Sequence, residues 1–124
     1  MLKNILFIGL GGGIGSICRY VMALAIGKWI DASFPWGTFV INVLGSLLIG
    51  LFLGMFDKSI FNDTCKLLLI TGFCGGFTTF STFSFENVNL LLAGQWLTAL
   101  TYSALSVVLG IAAVWLGYKL SAAF

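Results

Sequence analysis

Apolar residues run with little interruption from Ile5 to Ile26, Thr38 to Phe56, Leu67 to Leu92 and Trp96 to Leu120. A membrane span needs about 20 apolar residues at about 1.5 Å rise each. The pattern therefore predicts an all-α integral membrane protein, one four-helix domain over residues 1–124 with little chain left outside the bilayer. The polar connections are short. Asp31 to Gly37 holds the single proline, Pro35, beside Trp36; Asp57 to Lys66 holds much of the charge; Gly94-Gln95-Trp96 turns the third run into the fourth. Trp29, Trp36, Trp96, Trp115 and Tyr118 fall near the ends of the runs, where amphipathic rings meet the headgroups.

Composition narrows the class further. Apolar residues are 60% of the chain, charged residues 8%, and mean hydropathy is +1.10. Soluble domains carry about 25% charge, so a water-facing surface is excluded. Lys3, the first apolar run and Ala23-Leu24-Ala25 imitate a signal peptide, but Arg19 interrupts that run and the expectation is a retained span. Lys3, Lys58, Lys66 and Lys119 share one side of the predicted topology, against Lys28 and a snorkelling Arg19 on the other. That bias favours termini inside. No basic cluster points to nucleic acid. Cys18, Cys65 and Cys74 lack metal-ligand spacing, and histidine is absent from the chain.

Glycine spacing carries the packing signal. Gly9-Leu10-Gly11-Gly12-Gly13-Ile14-Gly15-Ser16 fails the dinucleotide-loop spacing and has no βαβ setting. Gly9/Gly13, Gly11/Gly15, Gly50/Gly54 and Gly72/Gly76 instead stand four apart, which lets helix backbones approach closely. No internal repeat is visible.

The segment Gly72 to Ser84 sets the chemistry. It places a glycine pair, hydroxyls and the phenylalanines Phe77, Phe80 and Phe83 inside a span. A helix interrupted at that depth must be shielded by protein or line a cavity, and ion sites are built that way. Four helices are few for such shielding, so a homodimer is expected. Arg19 in the first span reads as a snorkelling cation or part of a vestibule that attracts anions. Asn42 reads as an interhelical bridge or as a neutral donor for an anion. Phe77, Phe80 and Phe83 recur every three residues beside Thr79, Ser81 and Thr82, and read as core or lipid contact or as positive ring edges lining an anion path. In the fourth span Tyr102 and Ser106 share a face, which reads as an extension of a polar track or, for serine, as a bond to its own helix backbone. Glu86, near the end of the third span, is ambiguous.

These motifs identify a resemblance. Gly11-x3-Gly15-x3-Arg19-Tyr20, Gly37-Thr38-x3-Asn42-x2-Gly45-Ser46 and the run Gly72-x-Cys74 to Phe83 resemble the small membrane proteins called Fluc or CrcB-type fluoride channels over essentially the whole chain. The resemblance implies an antiparallel, dual-topology homodimer in a bacterial inner (plasma) membrane, with a broken third helix. It implies passive, selective export of cytoplasmic fluoride for detoxification. By motif position Phe80 and Phe83 are pore phenylalanines, Asn42 the pore amide, and Tyr102 and Ser106 a polar track. Glu86 neighbours the hydroxyls near Thr82, and Arg19 lines or organises a vestibule. The backbone carbonyls of Gly75 and Thr78 are implied to hold a structural sodium ion. Fluoride, membrane lipid and a second copy of the chain are the implied partners. A proton-coupled multidrug exporter of similar size would use a carboxylate in its first helix, where this chain has Arg19. An enzyme is disfavoured by the lack of histidine and of an acid pair.

Overall fold

The computed structural model describes all residues from Met1 to Phe124 and is helical throughout, without strands. Helices α1 (Leu2–Trp29) and α2 (Trp36–Asp57) are continuous. The third span, Asp63–Leu92, is composite. It contains α3 (Asp63–Lys66), a π-helical stretch Leu67–Cys74, α4 (Gly75–Phe77) and α5 (Phe80–Leu92). Helix α6 (Trp96–Leu120) runs into a 3₁₀ turn, Ser121–Ala123. Four spans are long and apolar enough to cross a membrane. They overrun the predicted runs by a few residues where the lipid-facing segments meet their flanking turns.

Turn chemistry explains where the helices stop. Asn62 Oδ1 accepts from Cys65 N at 2.9 Å and caps the third span. Gly94, at φ 76°, ends α5, with Gln95 N donating to Leu90 O and Gly94 N to Leu91 O. Ser59, at φ 61°, ends α2 by the same pattern, through Ile60 N to Met55 O and Ser59 N to Phe56 O. Both are left-handed C-terminal caps.

Sequence neighbours are not the main packing partners. Helix α1 packs on the third span, and α2 packs on α6. Glycines permit both contacts. A Cβ at Gly11 or Gly15 would collide with the Leu68 or Phe73 carbonyl, and one at Gly76 with the Gly12 carbonyl. On the other pair, a Cβ at Gly50 would meet the Val114 carbonyl and one at Gly117 the Leu47 carbonyl. Gly9 and Gly13, which share the spacing, have open space beside them. Close backbone approach thus uses one phase of the α1 glycines.

Candidate ion-conducting site

The site is built around two extended residues. Thr78 (φ −84°, ψ 156°) and Thr79 (φ −149°, ψ 120°) separate α4 from α5. Asn42 of α2 reaches across to hold the second of them. Its Nδ2 donates to Thr79 O at 3.0 Å, and its Oδ1 accepts from Thr79 N at 2.8 Å. One carboxamide therefore replaces both ladder bonds of an extended residue, in a setting where an unmet backbone group is costly. Nδ2 keeps its second proton for another acceptor.

Thr79 also starts the next helix. Its buried Oγ1 accepts from Thr82 N at 3.2 Å, the usual N-cap arrangement. It lies 3.2 Å from Thr82 Oγ1 and 3.3 Å from Ser81 Oγ, so the three hydroxyls form one cluster. The positive end of the α5 dipole falls beside this cluster.

These diversions release two carbonyls. The Thr79 amide, which would close a helical bond onto Gly75 O, goes to Asn42. The Thr82 amide, which would close onto Thr78 O, goes to the Thr79 hydroxyl. Gly75 is exposed and has open space on its Cβ side. The Thr78 hydroxyl turns back to Cys74 O at 2.8 Å, and Ser16 Oγ reaches Gly76 O at 3.4 Å.

A cavity of about 420 Å³ opens on this junction, bordered by Asn42, Ser46, Thr79, Phe80, Phe83 and Ser106. Ser106 Oγ is buried without a hydrogen-bond partner, which leaves a donor beside the cavity at a cost that a bound anion would relieve. Phe80 and Phe83 lie 5.7 Å apart by ring centroid. Phe80 is 79% exposed, whereas Phe83 packs on Tyr102 at 5.0 Å. Phe77 leaves the stripe that its spacing suggests: it is buried and stacks on Phe73. The two extended threonines reset the helical phase between Phe77 and Phe80.

Thr79 also borders a second cavity of about 220 Å³, with Ser16, Arg19, Tyr20, Thr38 and Thr82 on its walls. Arg19 is half-buried there, in a cavity that Thr79 shares with the main one but Phe80 does not border. Glu86 accepts from the fully buried Tyr102 hydroxyl at 3.0 Å and borders a third cavity near Thr38. Tyr102 and Ser106 thus share a helix face but serve different neighbours. Ser46, to which the sequence assigned no role beyond its place in the second motif, borders the main cavity one turn beyond Asn42. Asn87, which bonds Ser103 Oγ at 3.0 Å and Phe83 O at 2.9 Å, carried no sequence signal.

The arrangement offers hydroxyl and amide donors, aromatic edges and a nearby arginine. It holds no group of His, Cys, Asp and Glu suited to a metal ion. A profile described as CrcB-like protein, Camphor Resistance (CrcB), matches residues 6–118. A protein of Flavobacterium psychrophilum, named fluoride-specific ion channel FluC, is 50% identical over 117 residues, 94% of each chain. Proteins of the same name from Phocaeicola vulgatus and Azobacteroides pseudotrichonymphae are 47% and 46% identical, over 97% and 100% of this chain and 99% and 100% of theirs. The chain belongs to the CrcB-like family, whose matched members carry the name of an ion channel and not of an enzyme.

Proposed function

We propose that this chain is the subunit of a passive fluoride channel, in which two antiparallel copies enclose the interrupted third span. The observation that carries the reading is the buried, unpartnered Ser106 hydroxyl beside a cavity bordered by Asn42, Phe80 and Phe83. Fluoride is small and strongly hydrated, so stripping its water demands close replacement donors. The Ser106 hydroxyl and the second Asn42 amide proton supply them, and Phe80 and Phe83 ring edges add a weak positive field. The Thr79, Ser81 and Thr82 hydroxyls link that cavity to the arginine side, where Arg19 draws anions from solution. Tyr102 of α6 and Glu86 of α5, joined by a 3.0 Å hydrogen bond, continue the polar track. A fixed ammonium at the narrowest point would trap the ion; neutral donors let it leave.

Dual topology accounts for the exposed faces of a single subunit, since each copy covers the other. Insertion in both orientations must overcome the lysine bias noted above. The released carbonyls of Gly75 and Thr78 fit a structural sodium ion, because hard cations take oxygen ligands and unwound carbonyls at helix interruptions bind them. When bound, the ion supplies fixed positive charge without entering the path. A negative-inside potential of about 100 mV adds about 2.3 kcal/mol per charge, or about a fifty-fold outward bias. In a bacterial inner membrane that bias exports fluoride and detoxifies the cytoplasm without ATP.

The test is ion efflux from liposomes holding purified protein, read with fluoride and chloride electrodes. Fluoride release that needs valinomycin and excludes chloride is expected. Folded protein that releases no fluoride overturns the reading.

A further inference from the structure

Helices α2 and α6 run parallel and keep step with each other. Ser46 faces Gly110, Gly50 faces Val114, and Gly54 faces Tyr118 and Ser121. Matching positions thus advance together by one turn, about 5.4 Å at a time. Carried back one turn, the same stepping sets Asn42 level with Ser106, and both border the main cavity.

One turn beyond that level the wall changes. Helix α2 offers the Ser46 hydroxyl, and α6 offers bare backbone at Gly110. A further turn on, the cavity is bordered by Ile49 and Val114, which have no polar side-chain atom. Ser46 is therefore the last polar side chain along this stretch of α2. Serine in a membrane helix often turns its hydroxyl back to its own backbone, as Thr78 does here toward Cys74 O. Ser46 forms no such bond, and it takes no part in the bonds that secure Thr79. Gly110 leaves the space opposite it open: a Cβ there would stand 3.8 Å from Ser46 Oγ, an ordinary contact.

We propose that Ser46 is a further ion-contacting residue, which hands the anion one turn beyond the Asn42–Ser106 level while Gly110 keeps the passage wide. The inference rests on the anion-channel reading. Its test compares fluoride efflux for wild type, Ser46→Ala and Ser46→Thr, each verified as folded by size exclusion. Loss of one hydroxyl donor is expected to lower flux about ten-fold. Threonine keeps a hydroxyl at position 46 and leaves Gly110 untouched, so Ser46→Thr is expected to retain most of the flux. Wild-type flux in Ser46→Ala overturns the role of Ser46 and leaves the channel reading standing. An equal loss in Ser46→Thr, which keeps the hydroxyl, marks a packing role and also overturns it. A silent wild type overturns the channel reading and this inference with it.

Discussion

Asn42 and Thr79, 37 residues apart in sequence, hold each other through a closed pair of hydrogen bonds at 3.0 and 2.8 Å. Asn42→Asp replaces the donor facing Thr79 O with an oxygen, so one bond is lost and two acceptors are opposed. The expected cost is about 1–3 kcal/mol, together with loss of fluoride flux. Thermal unfolding in detergent and liposome efflux measure the two effects; a variant matching wild type in both removes the clamp from the mechanism.

Phe80 and Phe83 separate conduction from stability. Phe80 is largely exposed on a single subunit, so Phe80→Ile should leave subunit folding intact. The lost aromatic edge, worth about 1 kcal/mol, should lower flux by roughly five-fold. Phe83→Ile should lower flux and also stability, because Phe83 packs on Tyr102. Equal stability losses for the two variants would contradict this division.

The glycine phases give a third contrast. Gly15→Ala and Gly50→Ala force a methyl group into a neighbouring backbone carbonyl and should destabilise by about 1–3 kcal/mol each. Gly9→Ala meets open space and should leave the subunit's fold unchanged. Guanidinium-free urea or heat titrations of detergent-solubilised protein would rank them; a reversed order would sink the packing account.

Ser59 invites a stabilising change. Its φ of 61° is a left-handed conformation that suits glycine and strains other residues by about 1 kcal/mol. Ser59→Gly should raise the unfolding temperature without altering flux, and an unchanged or lower value would show that the cap carries no strain.

Sodium can be tested apart from conduction. If Gly75 and Thr78 carbonyls bind it, replacing sodium by a large organic cation should lower the melting temperature of the assembly, and restoring sodium should raise it with concentration. A melting temperature indifferent to sodium would remove the ion from the site.

The four spans were readable because lipid demands helices of a set length, and the runs of apolar residues supply that length. Other features needed the packed chain. The spacing of Gly9, Gly11, Gly13 and Gly15 admits either phase, and only the position of the third span selects Gly11 and Gly15. Phe77 matches Phe80 and Phe83 in sequence, but helical spacing does not carry across the extended threonines. The π-helical Leu67–Cys74 stretch is nearly all apolar, so no polar face betrays its winding. Asn42 was legible as a polar group that needs a partner; that the partner is a backbone unit was not.

The pairing of α2 with α6 sets an order of events during synthesis. Helix α2 precedes α6 in the chain, yet the Val114 backbone that fills the space at Gly50 and the Ser121 side chain that fills it at Gly54 belong to the last span. A chain truncated after α5 would therefore keep α2 but leave its glycine face without the partner that fills it.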